Sequence, residues 1–264
     1  MRNPQRTQKI AFFFLFLATF LIVIPVGLII VIIIQKGLPA INWQFLSDIP
    51  RQGMRAGGIF PAIIGTIYLV IGAIVFALPI GLMAAIYLSE YAKDSFLTRV
   101  IKLAIVNLAG VPSVVYGLFG LALFVVFLKF GASILSGSLT LGIMILPIII
   151  TTSREALESI PYSFREVSFS LGASKWQTIR HIVLPNAIPG ILTGTILGLG
   201  RAAGETAPIL FTVAAFYLPQ LPRSIFDQAM ALPYHLYVIS TQVPNVDEKI
   251  RYGTALVLLV LVLF

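Results

Sequence analysis

Long uncharged runs alternate with short charged connections, and the lengths of the runs are those of membrane spans. A helix rises about 1.5 Å per residue, so about 20 mostly apolar residues cross a hydrocarbon core about 30 Å thick. Runs of this kind lie at Ile10–Ile34, Ala56–Ser89, Leu103–Leu128 and Phe130–Ser153. A fifth runs from Ile182 to Gly200 and, past Arg201 and Glu205, on to Pro222. A sixth starts at Tyr252 and stops at Phe264, too short to cross, so the pattern predicts a last helix that is truncated. The chain reads as an all-α integral membrane protein with six transmembrane helices.

The spans predict close packing. Glycines recur in the fifth, at Gly190, Gly194, Gly198, Gly200 and Gly204, mostly four residues apart, and punctuate the second and third. Small residues let helix backbones approach closely in lipid. Pro79, Pro112, Pro147 and Pro208 each remove a backbone hydrogen bond and predict bends.

One connection is patterned like a folded element. In "SREALESIPYSFREVSFSLGASKWQTIRHIVLP", residues 153 to 185, Ile160, Phe164, Val167 and Leu171 form an apolar stripe at helical spacing. Ser163–Glu166 and Ser174–Gln177 each fit a capping box, and Gly172 stands between them where a helix would end. Two short helices joined at Gly172-Ala173 are predicted. The stripe suits a membrane surface or a groove on another protein. Glu155, Glu158 and Glu166 among the basic residues favour the groove.

Composition agrees with the membrane. Apolar residues make up 58% of the chain and charged residues 11%, with a mean hydropathy of +0.99, against roughly a quarter charged in a soluble domain. The 18 Lys and Arg against 10 Asp and Glu are spread through connections and form no basic patch, which excludes a nucleic-acid surface. Arg2, Arg6 and Lys9 precede the first span and set the amino terminus in the cytoplasm. The connections near 90–102 and 153–181 then share that side. The chain has no cysteine, His181 and His235 show no ligand spacing, and no metal site is predicted. No G-x-x-x-x-G-K-[ST], H-E-x-x-H or G-x-S-x-G occurs, so no nucleotide cradle, zinc-protease or esterase chemistry and no catalytic residue is predicted.

The fifth span carries the candidate site. An intramembrane charge costs about 2.5–3.5 kcal/mol on insertion scales. With a helix starting near Ile188, Arg201 falls roughly 20 Å along it, with Glu205 about 6 Å further, paired on one face. The residues fit either an anion contact through the guanidinium or a neutral clasp between helices. Ser113, Tyr116, Asn107 and Thr206 are weaker candidates, because buried hydroxyls more often bond a nearby carbonyl.

Glu166, Gly172 six residues on, and Ile182-Val-Leu-Pro185 have the spacing of the EAA motif, so the chain resembles the permeases of binding-protein-dependent ABC importers. Val167 and Ser168 stand where the motif has alanines. "NLAGVPSVVYGLFG" at 107–120 and "GRAAGETAPIL" at 200–210 narrow the resemblance to the PstA-type permeases of phosphate importers.

The resemblance implies a type I ABC importer permease fold in a bacterial cytoplasmic (inner) membrane. Residues 1–60 would form an N-terminal helix and outer loop, and 61–264 the transport core, with cytoplasmic coupling helices at about 153–184. It implies half of a phosphate pathway shared with a homologous PstC-type permease. It also implies an ATPase dimer gripping Ser163, Phe164, Glu166, Leu171 and Gly172, and an extracytoplasmic phosphate-binding protein. The chain binds no cofactor on this reading; ATP and magnesium sit on the ATPases. Arg201 and Glu205 would matter for transport, with Thr206, Ser113 and Tyr116 beside the pathway. An importer of sulfate or molybdate is the rival within the class, and a passive channel or membrane scaffold the rival outside it.

Overall fold

The computed structural model describes residues 4–263. Arg2 and Phe264 lie outside the described residues, as does the side chain of Arg6. Helix α1 spans Pro4–Gly37 and leads through a 3-10 turn at Leu38–Ala40 to α2, Trp43–Ser47, capped by the Asn42 side chain on the Phe45 amide at 2.7 Å. A minimal antiparallel ribbon, β1 at Pro50–Arg51 against β2 at Ala56–Gly57, is the only β pairing beyond an isolated bridge among the described residues. Helix α3, Phe60–Ile86, continues through a π-helical turn to Tyr91.

The third predicted span is not a straight helix. It divides into α4, Phe96–Ala109, and a second rod that starts as α5, Ser113–Gly120, and extends to Phe127, the two bent by 100°. The bend falls at Gly110-Val111-Pro112, where proline cannot donate and restricts the residue before it. Pro79 and Pro147, by contrast, lie inside unbroken helices. Helix α6, Ile134–Glu158, is followed by α7, Tyr162–Ser170.

Helix α8, Lys175–Thr178, is no separate element: it runs through a π-helical turn into α9, Leu184–Gly204, making one apolar rod of 30 residues. The rod ends at Gly204, short of the predicted continuation to Pro222. After Glu205 and Thr206 comes α10, Ala207–Thr212, then an irregular stretch, α11 at Leu232–Thr241 and α12 at Glu248–Leu263. Among the described residues four helices are long and apolar enough to cross a membrane, and a fifth if the bent pair is one span. Helix α12 is 16 residues long, below that length.

Helices α3, α6 and α9 form the core, with Leu69, Leu141, Met144, Ile145 and Ile149 fully buried between them. Their approach depends on glycine: a methyl added at Gly142 would lie 2.7 Å from the Phe76 ring, and one at Gly81 2.7 Å from Ile149. Ser138 reinforces the contact by donating to the Leu69 carbonyl at 3.3 Å. Helix α1 stands apart, packed on α12, with the most apolar window of its span fully unburied. The bundle has two distinct ends, one formed by α7 and the turn after α3, the other by residues 38–59 and 213–247.

Candidate pathway and coupling sites

The break after α9 makes the first site. Glu205 adopts extended backbone (φ −79°, ψ 134°), so it caps the helix that carries Arg201 instead of extending it. The predicted one-face helical pair is therefore an ion pair across a helix end, Arg201 Nε to Glu205 Oε1 at 3.6 Å. The separation exceeds a good hydrogen bond, and both side chains are partly exposed, 33% and 21%. Such a cation is held near its place without being saturated.

The two stretches that narrowed the resemblance meet here. Pro208 sets the start of α10, which packs on α5 so closely that a methyl at Gly117 would lie 3.1 Å from Pro208 Cα. Tyr116 is buried on α5, within electrostatic reach of Arg201. Its hydroxyl donates to the Leu108 carbonyl at 2.7 Å, fastening α5 to α4 across the bend. Ser113, the first residue of α5, and Thr206 in the break are half-buried. Asn107 is exposed on α4.

The second site is α7 and its elbow. The capping box at Ser163 does not form: Pro161 starts the helix two residues earlier, and Ser163 sits exposed in the first turn. The box at Ser174 does form, with the Ser174 amide donating to Gln177 Oε1 at 2.7 Å. Gly172 lies at φ +81°, which an L side chain adopts only at a cost of about 1–2 kcal/mol. The Gly172 amide donates to Phe169 O at 2.9 Å and the Ala173 amide to Ser168 O at 3.2 Å, a double closure of the helix end. Phe164, Val167 and Leu171 form an exposed apolar face, with Leu171 at 83%, and Glu166 is exposed beside them.

The opposite face of α7 holds two contacts that sequence reading missed. Ser168 and Thr178 share a buried hydroxyl hydrogen bond at 2.8 Å. Arg165 Nη2 meets Glu90 Oε1 at 2.6 Å, with the two side chains 10% and 8% exposed. Removing one partner of such a buried pair costs about 3–5 kcal/mol, because the other charge is stranded. The signal was a lone carboxylate immediately after the uncharged run that ends at Ser89.

No group of three or more metal-ligating side chains occurs among the described residues. Helices long enough to span, a helix break holding a charge pair, and an exposed, doubly closed elbow define an integral membrane transport subunit. The chain belongs to the family described as binding-protein-dependent transport system inner membrane component, which matches residues 77–264. It is 35% identical to the phosphate transport system permease protein PstA 1 of Mycobacterium tuberculosis, covering 97% of this chain and 83% of that protein. With the probable phosphate transport system permease protein PstA of Methanocaldococcus jannaschii it shares 33% over 97% and 90%. The probable ABC transporter permease protein YqgI of Bacillus subtilis is 31% identical over 99% and 94%.

A bacterial ABC transporter that imports the polysaccharide alginate has a chain of the same fold, with TM-score 0.61 and 15% identity over 98% of this chain and 94% of that one. The inward-facing MetNI methionine transporter matches with TM-score 0.57 and 16% identity over 78% and 88%. The chain is thus an ABC importer permease subunit with the type I fold, and not itself an enzyme.

Proposed function

We propose that this chain is the PstA-type permease of a phosphate importer, with Arg201 as the anion contact. The observation that carries the reading is the loose, half-exposed Arg201–Glu205 pair at a helix break, set against α5 by the PstA-like stretches. Discontinuous helices in transporters place charges and free backbone groups where substrate passes. Glu205 holds the guanidinium until phosphate oxygens replace it, while Ser113, Thr206 and Tyr116 flank the passage. The relatives named as phosphate permeases support the substrate.

The remaining parts come from partners: a PstC-type permease for the other half of the path, an ATPase dimer carrying ATP and magnesium, and a phosphate-loaded binding protein outside. The exposed face of α7 with Glu166 and the Gly172 elbow is the surface the ATPase grips. Localisation in the inner membrane with a cytoplasmic amino terminus follows from the same assignment. Transport is then a population shift: ATP-driven closure moves α7 and biases the spans between two exposures of the path.

Reconstitution with these partners tests the reading. Phosphate-loaded binding protein should stimulate ATP hydrolysis, and sulfate-loaded protein should not; the reverse preference would overturn phosphate as the substrate. Arg201→Ala should lower phosphate uptake at least tenfold while both partners still copurify. Normal uptake by that variant would leave the pair as a clasp between helices.

A further inference from the structure

Resting on the importer reading, we infer that Arg165 and Glu90 form the transmission link, the side-chain contact that passes movement of α7 into the spans. The Arg165 guanidinium is spent on two elements at once. Nε donates to Glu90 Oε1 and Oε2 at 3.2 and 3.4 Å, and Nη2 to Oε1 at 2.6 Å, which grips the π-helical turn ending α3. Nη1 donates to Ile160 O at 2.9 Å and Nη2 to Leu157 O at 3.1 Å, which grips the end of α6. Carbonyls at a helix end have few helical partners, and these bonds add side-chain donors there, where Leu157 O otherwise accepts from the Ile160 amide at a long 3.4 Å. Arginine alone offers enough fixed donors for both duties; lysine is a point charge.

The rest of α7 touches one span only. Its backbone packs on the base of the rod that becomes α9, and Ser168 bonds Thr178 there. A push on the exposed apolar face thus reaches α9 through that base, and reaches α3 and α6 through Arg165. A cleft of about 660 Å³, lined by Glu90, Glu158, Ile160, Tyr162, Arg165 and Phe169, lies beside the link and leaves this side of α7 without close packing. Arg165 and Glu90 are positioning residues and touch no substrate.

The assembled complex carrying Glu90→Gln is the test, read by hydrogen exchange of residues 162–170 and by phosphate imported per ATP hydrolysed. Exchange should rise at least tenfold and import per ATP should fall at least tenfold. Faster exchange with unchanged import per ATP would reduce the pair to a strut, and unchanged exchange would remove the anchoring itself. Because the chain has no cysteine, a Glu90→Cys/Arg165→Cys pair gives a second measurement if Glu90→Gln does not accumulate. A short bifunctional thiol reagent should restore import per ATP; slow exchange restored without import would overturn the link. A wild-type complex that loaded binding protein cannot stimulate would refute the importer reading instead, and the exchange comparison would then judge the anchoring alone.

Discussion

Gly172 shows how one backbone angle decides a contact surface. Its positive φ turns the chain so that Leu171 stays 83% exposed while Ser168, three residues earlier, is buried. Gly172→Ala forces a side chain into left-handed backbone at about 1–2 kcal/mol. We predict that the ATPase subunits bind that variant roughly 5–30-fold more weakly, measured by titration in detergent. Equal affinity would mean that the elbow is not where they dock. The glycine was legible from its place after an apolar stripe. The Ser163 capping box misled because Pro161, whose fixed φ suits the start of a helix, stood two residues before the serine. Glu90 and Arg165 are 75 residues apart, so no local pattern could join them.

Elements were legible where hydropathy alone sets them. The spans now seen as α1, α3 and α6 follow from uncharged runs, whereas the bend at 110–112 lies inside a run that never changes polarity and the end of α9 at Gly204 falls beside charges that fit a continuous helix equally well. Only Gly110, Pro112, Gly204 and Pro208 marked them. Packing of α3 on α6 makes its own prediction: Gly142→Val overfills a contact with Phe76 and should lower the stability by about 1–3 kcal/mol. Gly27→Ala, with no atom within 4 Å of the added methyl and a better helix former in its place, should not lower the melting temperature. Helix α11 carries a pH-dependent element. His235 is 3% exposed, its Nδ1 has no partner, and burial pushes its pKa down to about 4. The unfolded segment takes up a proton first, near pH 6.5. The packing of α11 is therefore at full strength above that pH and weakens as pH falls towards 4. Protease cleavage within 232–241 should accelerate over that window, and His235→Phe should flatten the profile.

At the scale of the whole molecule, a permease needs two remote ends that move together, and the fold supplies them through few joints. One end offers an exposed face and the far tip of α9 a helix break, while the core is packed through glycine and fixed by Ser138 and Thr66, whose hydroxyl accepts from the Leu232 amide at 2.8 Å. Glycine at the exposed positions Leu192 and Ile196 of α9 costs helix stability of roughly 1 kcal/mol each without opening the core. That double variant should still assemble, with import per ATP several-fold lower. Unchanged import per ATP would show that α9 need not be stiff. The continuity from Lys175 to Gly204 carries a mechanical consequence. A rod of that length is roughly 45 Å from tip to tip, rooted at the elbow and ending just beyond Arg201. Pivoted at its middle, it would swing its far tip by about 2 Å for a tilt of about 5°, carrying Arg201 and its cap Glu205 together relative to α5. The seesaw would thus pass a nudge at the elbow along α9 to the helix break, beside the route that runs through Arg165 and Glu90.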